Sequence, residues 1–265
     1  MIFRREIVRN LKPLLIWSGI IGGLILLTLA VFPQMAKQQE TVGAMIDSLP
    51  DAMKKAFGMD RLGMDSLIGY YGIRVYLMPT LVGSIYAAIL AGNIVAKESA
   101  EKTIEFLLSK PVTRFQVIGQ KLLAVIVNLI ILNTIIVLAA LAGFQFAETS
   151  DVSPGTFLLL TLATFFLHLT FASIAFLLSS ALRRTRNITS TSLGIVLFSY
   201  FLNVISAMSE DLALIKHFSF FHYIDAADII TTNGIDSKYI IVMVSIVIIC
   251  LATAFSYFKK RDITV

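Results

Sequence analysis

The sequence predicts an all-α membrane protein with six transmembrane helices. Three observations carry that reading. Of 265 residues, 57% are hydrophobic and only 15% are charged, against about 25% charged in a soluble domain. The apolar residues fall into six separate runs, each near the roughly 20 residues that a helix needs to cross a bilayer. The basic residues gather in alternate connecting segments. Together these exclude a disordered chain, a disulfide scaffold and an ordinary cytosolic enzyme. Cys250 is the single cysteine, so disulfides contribute nothing.

The expected spans are Leu14–Phe32, Val75–Ala96, Leu122–Phe144, Thr156–Leu182, Ile188–Met208 and Tyr239–Phe258, within one transmembrane domain over residues 1–265. The first run is too long for the apolar core of a secretory signal and no small-x-small cleavage site follows it, so it reads as a signal anchor. Ahead of it, Ile2, Phe3, Ile7 and Leu11 oppose Arg4, Arg5, Arg9 and Lys12. That pattern predicts an N-terminal interfacial helix on the membrane surface. The outer loop 33–74 is long enough for structure of its own. Within it, Asp47 to Gly58 reads as a short capped helix ended by glycine.

Orientation follows from lysine and arginine. The N-terminus, the segment 97–121, the turn at Arg183–Asn187 and the C-terminal tail hold 15 of the 22 basic residues. The remaining seven lie in the other loops beside twelve acidic residues. The positive-inside rule then places both termini in the cytoplasm of a multi-pass plasma-membrane protein. The net charge of +5 is accounted for by this asymmetry, and no nucleic-acid partner is expected.

The expected spans contain no Asp, Glu, Lys or Arg, and His168 is their one histidine. Ion-coupled carriers keep such groups in the membrane to bind the coupling ion. No HExxH and no GxxxxGK[ST] occurs, so neither a zinc protease nor a nucleotide loop is predicted. His217 and His222 read as interfacial packing in an outer loop. His168, on a face with Thr161 and Thr164, reads as a polar contact between helices. No catalytic, cofactor-binding or metal-ligating residue is assigned, and uphill transport would draw its energy from a partner.

Small residues mark helix contacts. Gly19 and Gly23 in the first span, and Gly83, Ala87, Ala88, Ala91 and Gly92 in the second, let backbones approach closely. Either set serves packing within the chain or a seam between two copies. The fifth span is the most polar, with Ser192, Ser199, Asn203 and Ser206 on one face. A polar face in a bilayer must meet protein or water. It lines a translocation path or hydrogen-bonds its neighbours.

The segment after the second span is the most informative. Ala100, Ile104, Leu107 and Leu108 form an apolar stripe beside acidic Glu98, Glu101 and Glu105, with helical periodicity. Pro111 stops that helix. Thr113 and Gln116 then fit a capping box, with Val112 and Val117 as a hydrophobic staple. The result is a cytoplasmic hairpin over residues 97–121. It is either a docking element for a soluble partner or a solvated loop helix.

The run from Glu98 through Thr103-Ile104-Glu105-Phe106-Leu107-Leu108-Ser109-Lys110-Pro111-Val112-Thr113-Arg114 resembles the E-x-x-x-G-T-[IL]-E-x-L-L-S-x-P-V-[ST]-R motif of ABC-2 type transporter permeases. Ser48-Leu49-Pro50, Lys55 to Met59 and the aromatic run His217 to Tyr223 resemble the bacterial subgroup related to bacitracin-resistance and nitrous-oxide-operon permeases. Lys102 stands where the family usually has glycine, which makes the local turn more helical. The resemblance implies a six-span ABC-2 (type V) exporter fold. It implies a permease subunit that pairs with a second copy and with two copies of an ATP-binding subunit, on which ATP and magnesium reside. The hairpin would contact that subunit, with Glu98, Glu101, Thr103, Glu105, Ser109, Pro111 and Arg114 as the ATPase-coupling residues. The motif identifies the family and not the cargo. A polar, uncharged fifth span suits an amphipathic or hydrophobic cargo, such as an antimicrobial or toxin peptide or a drug. A non-transporting membrane enzyme or scaffold is the alternative reading.

Overall fold

The computed structural model describes residues 2–100, 113–147, 152–182, 185–208 and 210–260. Among them the chain is helical with no strand. Six helices are long and apolar enough to cross a bilayer: Ile2–Lys37, Leu67–Lys97, Arg114–Ala147, Pro154–Ala181, Asn187–Met208 and Ser237–Lys259. The all-α, six-span architecture expected from the sequence is the one observed. The described helices are α1 (Ile2–Lys37), α2 (Gln39–Asp47), α3 (Asp51–Ala56), α4 (Leu67–Tyr70), α5 (Gly83–Ala100), α6 (Arg114–Phe144), α7 (Pro154–Ala181), α8 (Thr185–Met208), α9 (Ala226–Thr232) and α10 (Ser237–Lys260). Two π-helical segments, Tyr71–Val75 and Met78–Val82, carry α4 into α5.

One sequence expectation is corrected. The N-terminal segment is not a separate interfacial helix. It is the start of α1, a continuous helix of 36 residues. At about 1.5 Å per residue that is about 54 Å, well beyond a hydrocarbon core of roughly 30 Å. Most of the apolar face turns inward: Ile2 is buried, Phe3 and Ile7 pack against the core, and Leu11 is exposed. The reason is competition for that face. It has a partner in α6, where Gln120 Oε1 accepts from Phe3 N–H at 3.2 Å. That bond satisfies one of the donors that every helix start leaves unpaired.

Within the outer segment, α3 starts after Pro50 and has no side-chain cap. Gly58 follows it with φ +68°, a left-handed conformation that suits glycine at a helix end.

The bundle is organised around α5 and α7, which pack along each other, with α1 against α6, α8 against α5 and α10 against α7. The alanines expected to support close approach do so within the chain: Ala87, Ala88 and Ala91 are buried. Gly143 is where α6 meets α1, since a Cβ there would lie 2.4 Å from Leu29 Cδ1. By contrast, Cβ atoms built on Gly19 and Gly23 would meet nothing within 4 Å. The outward residues of α8 and α10, such as Phe198, Phe201, Ile241, Ile248 and Ile249, are exposed and apolar. That is stable where the solvent is hydrocarbon.

His168 joins the centre of the bundle, as the sequence suggested. Its Nε2 lies 2.9 Å from Pro79 O and its Nδ1 3.1 Å from Asn133 Nδ2. The Nε2–H tautomer satisfies both, donating to the carbonyl and accepting from the amide. Thr161 and Thr164 instead bond back to Phe157 O and Leu160 O of their own helix. Pro79 O also takes the backbone N–H of Gly83 at the end of the π-helical segment Met78–Val82, so the imidazole uses that carbonyl's second lone pair.

The imidazole fits only because Gly83 has no side chain: a Cβ there would lie 2.4 Å from His168 Nε2. Gly83→Ala is therefore expected to destabilise the bundle by about 1–3 kcal/mol, the usual cost of overpacking. Thermal unfolding in detergent measures it. In the Gly83→Ala/His168→Ala double variant the two losses should be clearly less than additive. Strict additivity would show that the two residues do not compete for space.

Candidate functional site

Five helix ends meet at one end of the bundle, called here the basic end. They are the start of α1, the last turns of α5, the start of α6, and the ends of α7 and α10. At the centre of the first three, Lys121 Nζ lies 3.3 Å from Glu6 Oε1 and donates to Ile94 O at 2.5 Å. The two side chains are 1% and 3% exposed. Arg5 Nη2 approaches the same carboxylate oxygen at 3.7 Å. Beside them, Ser179 Oγ of α7 accepts from Val95 N–H and Ala96 N–H at 3.2 and 3.0 Å. The knot therefore grips the last turns of α5 from both sides.

Sequence reading missed this pair because each partner lies just outside an expected span. Lys121 immediately precedes the apolar run at Leu122, where a lysine ordinarily marks the water boundary. The available signal was Glu6, the one acidic residue among the N-terminal arginines.

The segment expected to dock a partner joins the two helices that this knot holds. Glu98 lies in the last turn of α5, with its side chain outside the described residues. Glu101, Lys102, Thr103, Ile104, Glu105, Leu107, Leu108, Ser109, Pro111 and Val112 all lie outside them. The far side of the segment is described. The capping box is present: Gln116 N–H donates to Thr113 Oγ1 at 3.2 Å and Thr113 N–H to Gln116 Oε1 at 3.0 Å. Arg114 turns away to α10, where Nη1 donates to Lys259 O at 3.1 Å. That carbonyl is one of the acceptors a helix end leaves unpaired.

The polar face of α8 divides among different roles. Ser192 is buried, and its Oγ has no hydrogen-bond partner among the described residues. Its hydroxyl would lie 3.3 Å from a Cβ built on Gly92, so α5 passes close over it. Ser199 clamps the segment that follows α8. Its Oγ accepts from Phe220 N–H at 3.0 Å, and its carbonyl accepts from Ser219 Oγ at 2.6 Å. Ser206 Oγ donates to Asn203 O at 2.9 Å. Asn203 lines two neighbouring cavities at the opposite end of the bundle. One, of about 90 Å³, runs between Tyr76, Thr80, Tyr200 and Phe221. The other, of about 260 Å³, is polar, with Lys55, Arg61, Ser206, Lys216 and His222 on its wall.

A cap closes that opposite end. Arg61 Nη2 lies 3.0 Å from Asp225 Oδ1, and Nη1 2.5 Å from Asp228 Oδ1. Asp225 Oδ1 also accepts from Asp228 N–H as the N-cap of α9. One carboxylate thus starts a helix and ties it to the segment after α3. Partial burial alone would lower the Arg61 pKa, but Asp225, Asp228 and Asp60 together raise it above its ordinary value. The pair remains partly solvated, so its worth to stability is modest.

Near it, the rings of His217 and His222 lie 6.0 Å apart and both pack on Tyr239. Tyr239 stacks on Tyr223 at 4.6 Å. Burial pushes the His222 pKa down, and Lys216 adds to the shift. Among the described residues no cluster of His, Cys, Asp and Glu is arranged to hold a metal ion.

Six helices of membrane length and apolarity define a multi-pass membrane protein. Residues 13–263 match the family of ABC-2 family transporter proteins, and the chain belongs to that family. A Bacillus subtilis (strain 168) protein named YhcI, described as uncharacterized, is 27% identical over 207 residues. The match spans 69% of this chain and 66% of that protein, just under two thirds of its length.

Breaking the knot on one side should be costly. Lys121→Met leaves the Glu6 carboxylate buried beside an apolar side chain, at an expected cost of about 3–5 kcal/mol. Glu6→Leu combined with Lys121→Met removes both charges and should recover at least half of that loss. Denaturant unfolding in micelles gives both values. Single variants within about 1 kcal/mol of the parent would mean that the pair is solvated.

Proposed function

We propose that this chain is the permease subunit of an ATP-driven exporter. A second copy completes the membrane unit, and two copies of a separate ATP-binding subunit dock on its basic end and carry ATP and magnesium. The cargo is amphipathic or hydrophobic, an antimicrobial or toxin peptide or a drug, and leaves through the plasma membrane. Both termini are cytoplasmic. Family membership over residues 13–263 carries the reading.

The geometry supports it in three ways. Among the described residues, the buried charged side chains are Glu6 and Lys121, paired with each other at the basic end. The interior between the ends therefore offers cargo hydroxyls, amides and apolar surface. The start of α1, both flanks of the 101–112 segment, the end of α7 and the end of α10 share the basic end, as four basic cytoplasmic segments would. The Gly19–Gly23 face of α1, where added Cβ atoms would meet nothing within 4 Å among the described residues, suits a seam with the second copy. The acidic residues Glu98, Glu101 and Glu105 supply the contact to the ATPase, and Thr103, Ser109 and Pro111 set its turn. Along α8, Asn203 and Ser206 contribute to the path, with Ser192 deeper in it. Ser199 holds the mouth in shape.

The test is co-expression with an ABC ATP-binding subunit, followed by affinity capture and ATP hydrolysis. The complex should have the mass of two permeases and two ATPases, and the permease alone should hydrolyse no ATP. Glu105→Lys should weaken capture several-fold while leaving the yield of folded permease unchanged, since a charge reversal at a docked pair exceeds the roughly 0–1 kcal/mol of an exposed one. A stable one-to-one particle, or unchanged capture and hydrolysis in Glu105→Lys, would contradict the reading.

A further inference from the structure

A groove of about 480 Å³ opens between the first turns of α6 and the last turns of α10. Phe115, Ile118, Phe255 and Phe258 line it, and Arg114 and Lys259 stand on the same wall. The lining is aromatic and preformed. The Phe115 and Phe255 rings lie 5.1 Å apart and Phe258 is buried, yet Phe115 is 71% exposed.

The groove runs into the outward surface of the bundle. Phe255 lies seven residues beyond the exposed Ile248, hence on the same face of α10, and Leu123 continues the exposed side of α6. These are the faces that meet hydrocarbon. The same wall adds the opposite chemistry. Arg114 is fixed across the two helices by its bond to Lys259 O, so its guanidinium is held beside the aromatic lining. Lys259 stands beside it.

We infer that this groove binds an anionic phospholipid, its acyl chain against Phe115, Phe255 and Phe258 and its phosphate beside Arg114 and Lys259. Charge complementarity selects the headgroup: a zwitterionic lipid adds a cation next to two cations already present, and an anionic one does not. Continuity with the hydrocarbon-facing surface selects a lipid over a soluble protein. Placement in the cytoplasmic leaflet rests on the orientation proposed above, whereas binding itself does not. The lipid would brace α10 against α6 beside the segment proposed to dock the ATPase. The lipid surrounding the protein would then influence how firmly that segment is held.

The test uses the full chain, purified in detergent and titrated with phosphatidylglycerol or phosphatidylcholine. Native mass spectrometry and thermal unfolding read the result. Phosphatidylglycerol should bind saturably and raise the unfolding temperature, with phosphatidylcholine at least fivefold weaker. Arg114→Gln/Lys259→Gln should abolish that preference. Because Arg114 also caps α10, Phe115→Ser is the second variant. It leaves the cap in place and should weaken both lipids together. Lys54→Gln, at the opposite end, should change nothing. Equal binding of the two lipids by the parent chain would overturn the inference. So would an unchanged preference in Arg114→Gln/Lys259→Gln accompanied by lost ATPase capture, which would make the groove a protein-docking surface.

Discussion

A lysine and a glutamate buried against each other fix one end of this bundle. Removing either charge leaves the other buried without its nearest opposite charge. Because Glu6 is on α1 and Lys121 on α6, while Ile94 O belongs to α5, their pairing sets the relative position of three helices. It also decides where the segment between Ala100 and Thr113 must start and end. An N-terminal helix that might have floated on the membrane is drawn onto α6 instead. The middle of the bundle needs no such device. There Gly143 over Leu29 and Gly83 over His168 allow close packing, and His168 ties Pro79 O to Asn133.

The two ends are built for different work. At the basic end the strongest contacts are buried and charged, which suits a place where force enters from a partner. At the opposite end, Arg61, Asp225 and Asp228 hold a cap through half-exposed ion pairs, and Ser199 pins the chain that follows α8. Contacts of that kind are weak in water and easily remade. The two cavities bordered by Asn203 lie directly beneath.

Much of the fold was legible because hydrocarbon thickness leaves a plain mark on sequence: six apolar runs of similar length give six spans. The capping box at Thr113 and Gln116 was legible for the same reason of locality, as its partners are three residues apart. What escaped was non-local. The outer loop was read to Arg74, but helix begins at Leu67, because Tyr70 and Tyr71 bury against Phe32, Phe144 and Phe157, partners invisible along the chain. Glu6 and Lys121 are far apart in sequence and each looked like an ordinary boundary charge. Arg61 with Asp225 and Asp228 escaped likewise. Conversely, the polar face of α8 reads from sequence as a unit, either a path or a packing face, whereas each of its serines meets different neighbours.

The central claim is that the end knotted by Glu6 and Lys121 is the cytoplasmic one. Single cysteines placed at Lys54 and at Lys259, in a Cys250→Ala background, test it directly with a membrane-impermeant maleimide on intact cells. Position 54 should label from outside, and position 259 should label only after the membrane is opened. Equal labelling of both positions in intact cells, or labelling of position 259 alone, would contradict the account.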